Sequence, residues 1–260
     1  MTKTELKAAK QFKDNSAGGI SARIDQLHLR ARGNRWLWLF AIFCRVSLAA
    51  GFIPSGLVKI MQERFTVLSS NHPMGNYLEA VYHTGFYYTF IGVMQVAAAV
   101  LLLVPRTAVL GAFIYFPIIL NICILSLAVR FDGSLVTSPL MVLANLYLLC
   151  WYYHTWKFIL PFNRFPVQAA IPRWGQLSSK FPDKFFMGVV WAVFMVMVVL
   201  TNSYGVKPHN TLSECQSPCK DSPNPQACLN FCNCIHREGQ PLEQCLEAYH
   251  EAVKGTAAQF

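Results

Sequence analysis

The chain has 260 residues, 54% of them hydrophobic and only 13% charged, with a net charge of +9. A soluble domain carries nearer a quarter charged residues, so this composition excludes an ordinary water-soluble globule and points to membrane spans. The basic residues flank apolar runs and form no single patch, which excludes nucleic acid as the natural partner and makes the charge a report on membrane orientation.

Residues 1–35 are polar and basic and show no cleavable signal peptide. The first apolar run, from Trp36, is too long for a signal-peptide core and reads as a signal anchor. Five spans follow, near Trp36–Met61 (interrupted by Pro54), Gly85–Val104, Ala108–Val129, Ser138–His154 and Lys184–Tyr204. Backbone groups in lipid must be satisfied within each segment, and nothing here shows the ten-residue alternation of a barrel, so the spans are helices. The short Val104–Ala108 link makes the second and third an antiparallel hairpin.

Orientation follows from charge. Residues 1–35 hold Lys3, Lys7, Lys10, Lys13, Arg23, Arg30, Arg32 and Arg35 against Glu5, Asp14 and Asp25. The loop 155–184 adds Lys157, Arg164, Arg173, Lys180 and Lys184 against Asp183 alone. The tail after the fifth span carries six acids against Lys207, Lys220, Arg237 and Lys254. The positive-inside rule then places the N-terminus and the 155–184 loop in the cytoplasm and the tail outside. The domain plan is a basic cytoplasmic segment (1–35), a four-helix bundle (36–157), a cytoplasmic loop (158–183), a fifth helix (184–204) and an extracytoplasmic cap (205–260). In the outer loop 62–83, Tyr77, Glu79, Tyr82 and His83 read as an interfacial belt or the mouth of a ligand site.

Four polar side chains, Arg45, Gln95, Asn121 and Asn145, lie well inside the first four apolar runs. At 1.5 Å per residue they fall at matched depth, so a shared polar layer facing the bundle interior is expected. Arg45, Ala49, Phe52, Gly56 and Lys59 recur at steps of four and three and line one helix face. An intramembrane arginine needs a partner. Two readings stand: hydrogen-bonded glue between helices, or a pocket for an anionic or quinone-like headgroup with Lys59 near its rim and Tyr82, Tyr87 and Tyr88 as aromatic walls.

"GFIPSGLVKI" at 51–60, "YHTGFYYTFIGVMQVAAAVLLLVPRTAVLGAFIYFPIILNI" at 82–122 and "MVLANLYLLCWYY" at 141–153 resemble DoxX-like membrane proteins over about residues 36–155. Ser55, Gly56, Lys59, Gly92, Pro105 and Arg106 match the recurring pattern. The resemblance implies a four-helix bundle with a cytoplasmic N-terminus, in the inner membrane of a bacterium. It also implies roles ranging from thiosulfate:quinone oxidoreduction and membrane oxidoreductase complexes to cargo receptors and receptor chaperones. It supplies no catalytic motif, and the fifth span and tail lie outside it.

Cys44, Cys123 and Cys150 lie singly in spans and read as packing residues. The other six, Cys215, Cys219, Cys228, Cys232, Cys234 and Cys245, crowd the tail, and no C-x-x-C occurs. Two C-x3-C pairs separated by Pro223 and Pro225 fit a helical hairpin stapled by Cys215–Cys232 and Cys219–Cys228, with Cys234–Cys245 bridging to a helix near Leu242–Val253. This is one of 15 pairings, favoured because a segment this small lacks a core of its own. The rivals are a metal site that adds His209, His236 or His250, and a redox role for Cys232 and Cys234.

The sequence therefore predicts an all-α integral membrane protein: a DoxX-like four-helix bundle, a fifth transmembrane helix and a small disulfide-stapled helical C-terminal cap. No catalytic residue, metal or cofactor is expected from the residues themselves, and quinone enters only through the resemblance. The expected partners are the lipid bilayer and other membrane or envelope proteins. The expected role is a non-catalytic subunit or accessory factor of an envelope complex, docking through the cap. An oxidoreductase subunit handling quinone or small sulfur anions is the alternative, and a transporter or cargo receptor a further one.

Overall fold

The computed structural model describes residues 20–156 and 177–257. The expected cytoplasmic segment and loop therefore fall largely outside the described residues, including Lys3, Lys7, Lys10, Lys13, Lys157, Arg164 and Arg173. In chain order the helices are α1 (Ile20–Arg32), α2 (Arg35–Ile60), α3 (Pro73–Tyr82), α4 (Phe86–Leu103), α5 (Ala108–Ala128), α6 (Thr137–Trp151), α7 (Tyr153–Trp156), α8 (Asp183–Asn202), α9 (Leu212–Gln216), α10 (Pro225–His236) and α11 (Leu242–Ala257). A 3-10 turn, Ser217–Asp221, follows α9. Among the described residues no strand forms beyond an isolated bridge between Asn34 and Ser178.

Helices α2, α4, α5 and α8 are long and apolar enough to cross a membrane. The fourth expected span is shorter than its apolar run: α6 has 15 residues and stops at Trp151, and the single turn α7 continues after a break at Tyr152. The break is stabilised locally, because the Trp156 indole donates to the Leu149 carbonyl (2.7 Å).

Helices α2, α4, α5 and α6 form a ring in which each packs on its neighbours and α6 returns to α2. Lipid gives no hydrophobic drive to this packing, so close backbone approach matters. Gly56 and Gly92 supply it where α2 crosses α4. A Cβ on Gly56 would sit 2.8 Å from the Gly92 carbonyl oxygen, and one on Gly92 would sit 2.6 Å from the Gly56 carbonyl oxygen. Phe52 stacks on Tyr115 with ring centroids 3.7 Å apart, and the Tyr115 hydroxyl donates to the Leu48 carbonyl (3.2 Å), which ties α5 to α2.

The first and last spans begin side by side. Asn34 caps α2 by accepting from the backbone N–H of Trp36 (2.9 Å) and Leu37 (3.3 Å). Its Nδ2 donates to the Lys180 carbonyl (2.6 Å), and Arg35 N–H donates to the Ser178 carbonyl (3.0 Å). Helix α8 is held at this end by Phe185, which packs edge-on to Phe40 (5.5 Å). At its far end the Tyr204 hydroxyl donates to the Leu127 carbonyl (3.0 Å). Between these ties α8 buries no residue.

The cap is built on sulfur. The bridges are Cys215–Cys232, Cys219–Cys228 and Cys234–Cys245, the pairs that the spacing selected. With Phe231 and Ile235 they make up most of its buried centre. The expected hairpin differs in its first arm, where Pro218 opens a 3-10 turn and α9 ends after five residues.

Candidate functional site

The polar layer expected across the bundle does not form, because matched depth does not imply a matched direction. All five residues of the α2 stripe (Arg45, Ala49, Phe52, Gly56 and Lys59) are buried. Arg45, however, reaches back toward the start of its own helix, the direction in which helical side chains lean. It donates to the carbonyls of Leu102 and Leu103 at the end of α4. There it satisfies orphan carbonyls and meets the negative end of that helix. Asn145 donates to the Ala112 carbonyl (3.1 Å) on α5, leaving its own Oδ1 buried without a partner. Asn121 turns outward and is exposed. Arg45 is thus bonded to backbone through Nε and Nη2, and it meets none of the three amides.

A smaller polar chain remains near the other end of the bundle. The Lys59 ammonium donates to the Ser55 carbonyl (3.0 Å) and to Ser55 Oγ (3.2 Å), and Ser55 Oγ donates to Gln95 Oε1 (3.1 Å). Lys59 is 7% exposed and lies 4.1 Å from the Phe65 ring centroid. Among the described residues no carboxylate stands within ion-pair distance of it. Of the three tyrosines, Tyr88 is buried and donates to the Glu63 carbonyl (2.9 Å). Tyr82 packs edge-on to Tyr88 at 5.6 Å. Tyr87 points away and is exposed, so no three-sided aromatic wall forms.

Among the described residues, a dense constellation of polar side chains lies where the cap meets the bundle. Sequence reasoning considered His209 and His236 only as metal ligands and passed over His72. Three segments converge there: the loop before α3, the α5–α6 turn, and the linker leading into the cap. In the turn, Arg130 donates to the Val206 carbonyl (2.8 Å) and lies 4.6 Å from the Tyr204 ring centroid. Asp132 pairs with His209 (2.8 Å) and Lys207 (3.8 Å). From the loop, Asn71 donates to the His236 carbonyl at the end of α10 (3.1 Å). Gly239, in the left-handed region with φ 65°, keeps clear of Asn71, whose Oδ1 would be 3.2 Å from an added Cβ.

His72 is the centre of this joint. It is completely buried, with its ring 6.2 Å from that of Phe131 and 5.9 Å from that of His236. Its Nδ1 accepts from the Met74 N–H (3.1 Å) and caps α3, where Pro73 occupies the first turn. Its Nε2 has no hydrogen-bond partner. His236 in turn donates from Nε2 to the Pro208 carbonyl (2.7 Å). Burial is the largest cause holding the His72 pKa down to about 4, and His236 adds to it. The His209 carbonyl and Asp132 pull the other way, too weakly to restore the ordinary value. A Pro directly after a His in an otherwise polar loop was the available signal of a helix start at this position.

The cap sulfurs leave nothing for a metal. Those of Cys219, Cys228 and Cys232 lie within 4.8 Å of one another, but each already belongs to a bridge. Cys232 and Cys234 are likewise committed to different partners and form no redox couple.

No family model matches the chain, and no solved structure does. It is 34% identical over 111 residues to the uncharacterized protein YwoB of Bacillus subtilis (strain 168), an alignment that spans 38% of this chain and 68% of that protein. On that identity and coverage, the chain belongs to the same family as YwoB.

Proposed function

We propose that the protein is a non-catalytic subunit or accessory factor of a bacterial envelope membrane complex. In this reading a DoxX-like bundle anchors it in the inner membrane, its N-terminus is cytoplasmic, and the disulfide-braced cap docks a partner protein on the outer side. The outer face of α11 carries the reading. Glu243, Glu247 and Glu251 fall four residues apart on that face, and all three are exposed. None lies within ion-pair distance of a basic group among the described residues. Like charges at this spacing weaken an isolated helix, and a basic partner surface relieves that cost. The cap that presents them is fixed to the bundle by Arg130, Asp132 and Asn71, so the stripe is held in one orientation.

Extraction in a mild detergent tests this directly. The expected result is a co-purifying protein that the triple variant Glu243→Lys, Glu247→Lys, Glu251→Lys loses. A monodisperse lone protein, or a partner that the triple variant retains, overturns docking through this face.

A second reading has one observation in its favour. The buried Lys59–Ser55–Gln95 chain, with no carboxylate facing it, suits a membrane oxidoreductase subunit that handles a quinone or a small sulfur anion. Arg45 supplies nothing to it, being engaged with α4. Quinone-linked turnover that is unchanged in Lys59→Met eliminates this alternative.

A further inference from the structure

The joint between cap and bundle contains a buried imidazole whose geometry admits only its neutral form. With Nδ1 accepting from the Met74 N–H, the ring proton sits on Nε2. A second proton must go to Nδ1, where it turns the acceptor into a donor facing another donor and destroys the cap of α3. The resulting charge has no solvent and makes no hydrogen bond at Nε2, and the His209 carbonyl that acts on the ring is too weak to offset burial. The structure therefore places a group that tolerates no charge at the junction of all three segments that fasten the cap.

We propose that His72 is the latch of a proton-sensitive joint, and that charging it frees the linker Lys207–Asn210 and the cap from the outer loops.

The surrounding charges set the direction of the response. On the cap side, His236 of α10 faces His72, and a charge on either ring repels the other. From the α5–α6 turn, Asp132 is the one carboxylate among the described residues that acts on His72, and it is already shared by His209 and Lys207. His209 holds the linker to the same carboxylate, 2.8 Å from Asp132. Arg130 also projects from this turn, where it donates to the Val206 carbonyl, and as a cation it offers a charged His72 no counter-charge.

The sign follows from linkage. The pKa of His72 is depressed from 6.5 to about 4 in the closed joint. The closed state is thus fully favoured above about pH 6.5 and loses that advantage as the pH falls toward 4. An opened joint hydrates the ring and returns its ordinary pKa. Acidification to pH 5 then raises the opening constant by about 30-fold.

Hydrogen–deuterium exchange on the full-length protein in detergent tests the proposal, with rates normalised to the intrinsic pH dependence of exchange. Amides of 69–75 and 206–212 are expected to exchange about 30-fold faster at pH 5 than at pH 7.5, while those of α4 and α5 stay unchanged. His72→Asn keeps a capping side chain and cannot be charged, so its response is expected to be flat or slightly reversed. Asp132→Asn breaks the ion pairs and should speed exchange at both pH values while keeping the acid response. A wild-type protein without the acid response overturns the proposal. So does a response that persists in His72→Asn, or one that disappears only in Asp132→Asn.

Discussion

The bundle and the cap solve the same problem with opposite means. Neither rests on a conventional water-excluding core. In the bundle the surroundings are already apolar, so stability comes from backbone approaching backbone, as at Gly56 and Gly92, and from polar side chains such as Arg45 and Asn145 that satisfy carbonyls. The cap buries only a small centre around Phe231 and Ile235, and covalent bridges make up for the rest. Closing loops of 17, 9 and 11 residues constrains its unfolded chain by about 2.5–3 kcal/mol per bridge. The two regions should therefore fail independently, one to reductant and the other to changes in shape.

The largest separation is expected from Cys215→Ala with Cys232→Ala. The cap should lose about 3 kcal/mol and become cleavable between 205 and 257 under limited proteolysis, while the thermal transition of the bundle stays in place. A bundle that melts with the cap would show the two to be one cooperative unit. Gly56→Val reverses the pattern. Its side chain meets the Gly92 carbonyl and the Val96 side chain, at a cost of about 1–3 kcal/mol, read as a shifted unfolding midpoint in a denaturing-detergent titration that reductant does not alter. Arg45→Leu strands the Leu102 and Leu103 carbonyls and should cost about 1–2 kcal/mol in the same titration. Retention of full stability by that variant would mean that water reaches the end of α4. The smallest effect belongs to Asn121→Leu, which faces outward and should change stability by less than about 0.5 kcal/mol.

That contrast also explains what the sequence revealed. Spans and cap were legible because each depends on local pattern. The uncharged runs bounded α2, α4, α5 and α8 to within about two residues, and the C-x3-C spacing selected the bridges. The bundle interior was not legible in the same way. In α5, Gly111, Ala112, Tyr115, Ile119 and Cys123 turn inward while Asn121 turns out, yet nearly every residue in that helix is apolar. With so little contrast around the helix, depth can be counted but facing cannot. Arg45 does act as glue between helices, through the Leu102 and Leu103 carbonyls, but it shares no layer with the amides, because its long side chain carries its charge to a different level from its Cα. The joint at His72 depends on three segments far apart in the chain, and no local pattern announces such a meeting.

The tie between Asn34 and Lys180 has a consequence for how the protein is made. The side chain that caps the first membrane helix also donates to the carbonyl of a residue 146 positions later in the chain. A ribosome delivers α2, its opening turn already capped by Asn34, long before that partner exists, so the tie from Asn34 Nδ2 waits until the last span is about to enter the bilayer. Synthesis from the N-terminus thus closes a ring whose first link is fastened near the end.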